Sequence, residues 1–203
     1  MEKHTYIGKN REEAINNAKA DLQEVEENLI INEKEIKQGL FKTKKTEIEV
    51  IEKREVVKFI KEYTYNLLKN IGFNANIEVR KNKDIPTYTI YSDNDSLLIG
   101  KNGKNLQALS KIISQVITKE IGKSFKFMLD VNDYKEKRDK NLERIAKKIA
   151  REVKETKVEA KLDSMNSYER RIIHNVLANH KYVYTESTGE EPNRAVVIKP
   201  KED

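Results

Sequence analysis

A chain of 203 residues with 37% hydrophobic and 36% charged residues and a mean hydropathy of −0.80 lacks the apolar material for one thick core. It suits several thin units, each a small sheet under helices. Cysteine is absent, which excludes disulfides and thiolate metal sites, and the net charge of +6 comes from 40 basic against 34 acidic residues.

That charge is uneven. Residues 1–50 carry 9 basic and 11 acidic groups, residues 51–130 carry 14 and 9, and residues 131–203 carry 17 and 14. A positive field over the last three-quarters favours a polyanionic partner, although lysines that only solubilise a surface give the same sum. His4, His174 and His180 have no ligand spacing, so neither a metal nor a cofactor is expected. The start, Met1-Glu2-Lys3-His4-Thr5-Tyr6, has no apolar signal core and no run reaches membrane-spanning length. A cytoplasmic protein without stable membrane insertion is expected.

The first unit is expected over residues 1–51. Asn10 and Glu13 read as a capping box opening a helix with Ala14, Ile15, Ala18 and Leu22 on one side. Strands are expected near residues 28–31 and 47–51, with Gly39-Leu40-Phe41 in the turn between them. The second unit, 52–132, opens with a helix over 53–71 whose apolar stripe is Val56, Phe59, Ile60, Tyr63, Leu67 and Ile71, with Gly72 as the stop. Strands over 75–80 and 87–92 follow, then Leu97-Leu98-Ile99-Gly100-Lys101-Asn102-Gly103-Lys104. Next come a helix with Leu106, Leu109, Ile112, Ile113, Val116 and Ile117 inward, and a strand over 124–131. The third unit, 133–203, begins with a long basic helix over 134–158 that joins it to the second. A capping box, Asn166 with Glu169, starts another helix through Ala178, and strands over 182–186 and 195–199 flank a turn at Gly189 and Pro192. The fold class is therefore α+β, three small two-layer units.

Gly100-Lys101-Asn102-Gly103 joins two helices. Glycines let a foreign backbone lie against the loop, and the next helix offers unpaired N–H groups and its positive dipole end to a phosphate. Lys101 and Lys104 add cations, Asn102 adds an amide, and Leu97, Leu98 and Ile99 form an apolar shoulder for bases. An ordinary helix–helix turn is the plain alternative. The Walker and dinucleotide patterns do not fit.

With the helix, strand, strand, helix, helix, strand order around it, Ile99-Gly100-Lys101-Asn102-Gly103-Lys104-Asn105-Leu106 resembles the loop of a type II KH domain, which clamps about four nucleotides of a single strand. Downstream, Arg170 and His174 lie four apart on one helix face, where a solvated pair is the plain alternative. Within Ser167-Tyr168-Glu169-Arg170-Arg171-Ile172-Ile173-His174, and with Arg194 beyond, they resemble the small R-three-H domain that binds single-stranded nucleic acid. Together with Tyr6-Ile7-Gly8-Lys9-Asn10 and Lys37-Gln38-Gly39-Leu40-Phe41, the order resembles the Jag/KhpB family of bacterial RNA-binding proteins.

The resemblance implies single-stranded RNA as ligand and a role in post-transcriptional control of cell shape and division. It also implies a small single-KH protein as partner and proximity to the membrane insertion machinery. Gly100, Lys101, Asn102, Gly103, Lys104, Arg170, Arg171, His174 and Arg194 are the expected RNA-binding residues. No catalytic residue is assigned. The alternatives are a protein-interaction scaffold docking through the first unit and a ribonuclease using His174 as base.

Overall fold

The computed structural model describes residues 1–35, 45–82 and 85–201. The expected turn at Gly39-Leu40-Phe41, and the family likeness over Lys37–Phe41, lie outside them. The chain divides into two compact units, Met1–Asn132 and Asp133–Asp203, and its architecture is α+β.

In the first unit β3 (Thr46–Glu52) is the centre of an antiparallel sheet, between β1 (His4–Gly8) and β2 (Leu29–Glu35). Helix α1 (Arg11–Leu22) lays Ala14, Ile15 and Ala18 on Leu29, Ile31, Ile48 and Val50. Its small residues permit close approach. A Cβ on Gly8 would stand 2.4 Å from the Ala14 nitrogen, so β1 can meet α1 only through a glycine. Asn10 caps the helix by accepting from Glu13 N at 2.8 Å, but Glu13 reaches back to Lys9 N at 2.6 Å rather than to Asn10. The expected box is displaced by one residue.

The remaining elements of this unit are α2 (Lys53–Asn70), β4 (Ala75–Asn82), β5 (Ile85–Ser92), α3 (Asp95–Ile99), α4 (Lys104–Ile121) and β6 (Met128–Val131). This is the expected order. The buried stripe of α2 is Val56, Ile60, Thr64 and Leu68, rotated from the expected one. Thr64 enters it because its hydroxyl donates to Ile60 O at 2.7 Å, which removes the cost of burying a polar atom. On α4, Ile112 is exposed and Leu106, Leu109, Ile113, Ile117 and Ile121 are buried.

β5 pairs antiparallel with β4 and parallel with β6. A parallel pair demands a crossover, which α3 and α4 supply. The glycine loop therefore sits beyond the C-terminal end of β5, and α4 returns the chain to the opposite end of the sheet. There the N-terminal sheet takes up its last carbonyls: Lys3 Nζ donates to Glu120 O and Asn32 Nδ2 to Ile121 O, each at 2.7 Å. Helix C-termini leave such carbonyls without intrahelical partners.

The second unit contains α5 (Tyr134–Thr156), β7 (Ala160–Lys161), α6 (Ser167–Leu177), β8 (Val183–Thr188) and β9 (Ala195–Pro200), with β9 central in an antiparallel sheet. Leu142, Ala146, Ala150 and Val153 of α5 and Ile173 and Leu177 of α6 share one core with Val183, Val196 and Ile198.

Candidate nucleic-acid interface

Asn94 caps α3 by accepting from Leu97 N at 3.2 Å. The helix ends when Gly100 takes φ 68°, ψ 177°, a region essentially reserved for glycine. Gly100 N donates to Ser96 O at 2.9 Å and Gly103 N to Gly100 O at 3.2 Å, which closes a tight turn. Asn102 (φ 54°) and Gly103 (φ 77°) are left-handed, and asparagine is among the few side chains that accept this. Beneath the turn, Asn105 Nδ2 donates to Leu97 O at 2.8 Å. A Cβ on Gly100 would lie 2.5 Å from the Asn105 Cγ, so backbone dihedral and space both exclude a side chain there.

No side chain caps α4 at Gly103; Lys104 N donates to Lys101 O, and the next amides of the first turn, which have no intrahelical partner, leave the positive dipole end of the helix at the loop. Lys101 and Lys104 flank it and are exposed, as is Leu97 at 56%. Leu98 is 5% exposed. It belongs to the core rather than to the expected shoulder, which reduces to Leu97 with half-buried Ile99.

In the second unit the Asn166–Glu169 capping box forms as expected. Glu169 uses its other carboxylate oxygen to accept from Arg138 Nε at 2.8 Å, a partly buried ion pair that fixes α6 to α5. Arg170 is 8% exposed. Its Nη1 donates to Met165 O and to Glu191 Oε1, each at 2.8 Å. Met165 N in turn donates to Arg194 O at 3.1 Å. Arg170 thus ties α6 to the turn that carries Arg194, while Arg171 and Arg194 are themselves exposed.

His174, half-buried, stands over β8 with Nδ1 2.6 Å from Thr185 Oγ1 and Nε2 2.9 Å from Ser187 Oγ. Burial first, and the Arg170 charge second, hold its pKa below the ordinary 6.5. The ring is neutral at neutral pH, one nitrogen donating and the other accepting. Thr185 and Ser187 escape sequence reasoning because only the strand register reveals which hydroxyls face the helix. Among the described residues no group of His, Asp and Glu is placed to hold a metal ion, and no helix is long and apolar enough to cross a membrane.

The R-three-H domain model matches residues 140–200. RNA-binding protein KhpB of Clostridium symbiosum is 40% identical over 134 residues, covering 66% of this chain and 60% of the relative. The protein of the same name from Lactiplantibacillus plantarum is 35% identical over 142 residues, 70% of this chain and 44% of the relative. The chain thus spans less than two thirds of the length of these two longer proteins. RNA-binding protein KhpB of Bacillus subtilis is 31% identical over 208 residues, which takes in 99% of this chain and 100% of the relative. Likeness along the whole of that protein shows that the chain belongs to the KhpB family.

Proposed function

We propose that the protein binds single-stranded RNA without transforming it, residues 52–132 acting as a type II KH unit and 133–203 as an R-three-H unit that lengthens the contact. One observation carries the reading: an uncapped helix N-terminus stands behind a two-glycine turn with exposed Lys101 and Lys104 beside it. Such a surface suits a sugar–phosphate backbone, with Asn102 and the first-turn amides of α4 as donors and Leu97 under the bases. The name shared by the relatives supports RNA as the ligand. Arg171 and Arg194 are the phosphate partners of the last unit, whereas Arg170 and His174 set the shape on which they act.

Phosphate contacts carry little sequence information, so selectivity for base is modest and transcripts in general are the ligands. Substituting Lys101→Asp with Asn102→Asp leaves both glycines in place, and aspartate tolerates the left-handed conformation. Fluorescence anisotropy with a labelled oligoribonucleotide should show binding largely lost while the circular dichroism spectrum is unchanged. Undiminished binding by the doubly acidic loop overturns the reading.

A further inference from the structure

At the far end of α4 lies a second surface that the glycine loop does not use. The helix has 18 residues, so its ends are about 27 Å apart. Beyond it runs Lys123-Ser124-Phe125-Lys126-Phe127-Met128, in which basic and aromatic residues alternate. Phe127 is taken up by an edge contact with the Tyr88 ring at 6.0 Å. Phe125 is not. With Met128 and the first residues of β2 it lines a groove of about 910 Å³, into which Lys53, Lys123 and Lys126 also face. No carboxylate is among the described residues that line it.

β2 and β6 are both edge strands of their sheets, and Lys123 Nζ holds the two sides together by donating to Ile31 O. The neighbouring cavity, which shares Lys53 and Phe125, is of the opposite character. It carries Glu24, Glu27 and Glu52 with Arg54, and Arg54 Nη2 stands 2.8 Å from a Glu52 oxygen. Those carboxylates repel a phosphate backbone and bound the basic groove on one side.

An aromatic platform beside lysines, in a groove with no acidic group among the described residues that line it, is the arrangement that holds single-stranded nucleic acid: bases stack and phosphates meet cations. We infer that this groove is a second contact for the RNA strand, with Phe125 as the stacking surface and Lys53 and Lys126 as phosphate partners. It rests on the RNA reading above but not on the glycine loop's geometry. A strand of about four nucleotides fills the loop alone; one of about sixteen, the upper end of single-strand site sizes, reaches both.

The test measures affinity of the full chain for oligouridines of these two lengths over a range of salt. Each neutralised phosphate on a single strand contributes about −0.7 to the log–log slope. Lys53→Gln with Lys126→Gln should therefore make the long-strand slope shallower by about 1.4 and leave the short-strand slope alone. Removing a cation from the first turn of α2 is not destabilising. Phe125→Leu, which keeps an apolar filler, should weaken the long strand about tenfold and the short strand not at all. An unchanged long-strand slope in the lysine variant, or equal losses for both lengths, overturns the inference. If the unaltered protein binds neither strand, the RNA reading itself falls and the groove with it.

Discussion

Replacing Arg170 by methionine separates two roles that its place in the chain does not distinguish. The side chain donates 2.8 Å hydrogen bonds to Met165 O and Glu191 Oε1 and is almost fully buried. Loss of the first leaves a buried carbonyl unsatisfied, at about 1–3 kcal/mol. Loss of the second removes an ion pair whose carboxylate is 60% exposed, worth about 1 kcal/mol or less after solvent screening. The sum, about 1–4 kcal/mol, falls on a unit of roughly 70 residues, where each kcal/mol moves the melting temperature by about 4–8 °C. A thermal melt should therefore drop by about 4 °C or more. At a temperature where the variant is still folded, RNA affinity should weaken with the salt slope unchanged, because no phosphate partner has gone. Glu191→Gln should reproduce the affinity loss weakly. Arg194→Gln should do the reverse, with stability within about 0.5 kcal/mol and a slope shallower by about 0.7. The reasoning is refuted if Arg170→Met keeps its melting temperature and loses slope, since the guanidinium would then be meeting RNA directly.

Other expectations follow from the same geometry. Gly100→Ala should destabilise the first unit by about 1–3 kcal/mol and impair RNA binding, because Asn105 must also leave Leu97 O. Gly72→Ala, also at positive φ (90°) but with nothing within 4 Å of its Cβ position, should cost stability alone. A denaturant midpoint with an RNA titration reads both. The depressed pKa of His174 means that the unfolded chain binds its proton more readily. Its contribution to stability is complete above 6.5 and is lost as pH falls from there through the folded value. His174→Gln should flatten the fall in urea midpoint between about pH 7.5 and 5.5; an equal or steeper fall in the variant contradicts the assignment.

Much of the fold was legible because apolar periodicity is a core-facing signal. The Asn166–Glu169 box and four residues of the expected α4 stripe, Leu106, Leu109, Ile113 and Ile117, appear where the sequence predicts. What escaped depended on partners distant in the chain. β1 is only five residues long, with a weak alternation that gains meaning once β3 lies beside it. β7 is two residues, below any pattern. The strand expected over 124–131 pairs with β5 only from Met128, opposite Thr87; Phe127 falls opposite Pro86, which has no N–H to offer a ladder. Burial of Thr64 was hidden by its polarity, and burial of Leu98 by the run of apolar residues around it.

The glycine loop was legible from its own residues, because its backbone demands are local. Arg170 was not. Its spacing from His174 places the two on one helix face but cannot say whether that face meets solvent, and Glu191 is 21 positions away. The same holds for Arg138, whose contact with Glu169 requires α5 and α6 to be packed first.

The most direct measurement is the salt dependence of RNA affinity for the unaltered protein and for Lys101→Gln with Lys104→Gln. Two phosphate partners lost at the α4 N-terminus should make the log–log slope shallower by about 1.4 with the melting temperature unchanged. Identical slopes for the two proteins would mean that the backbone of the strand does not rest on this loop.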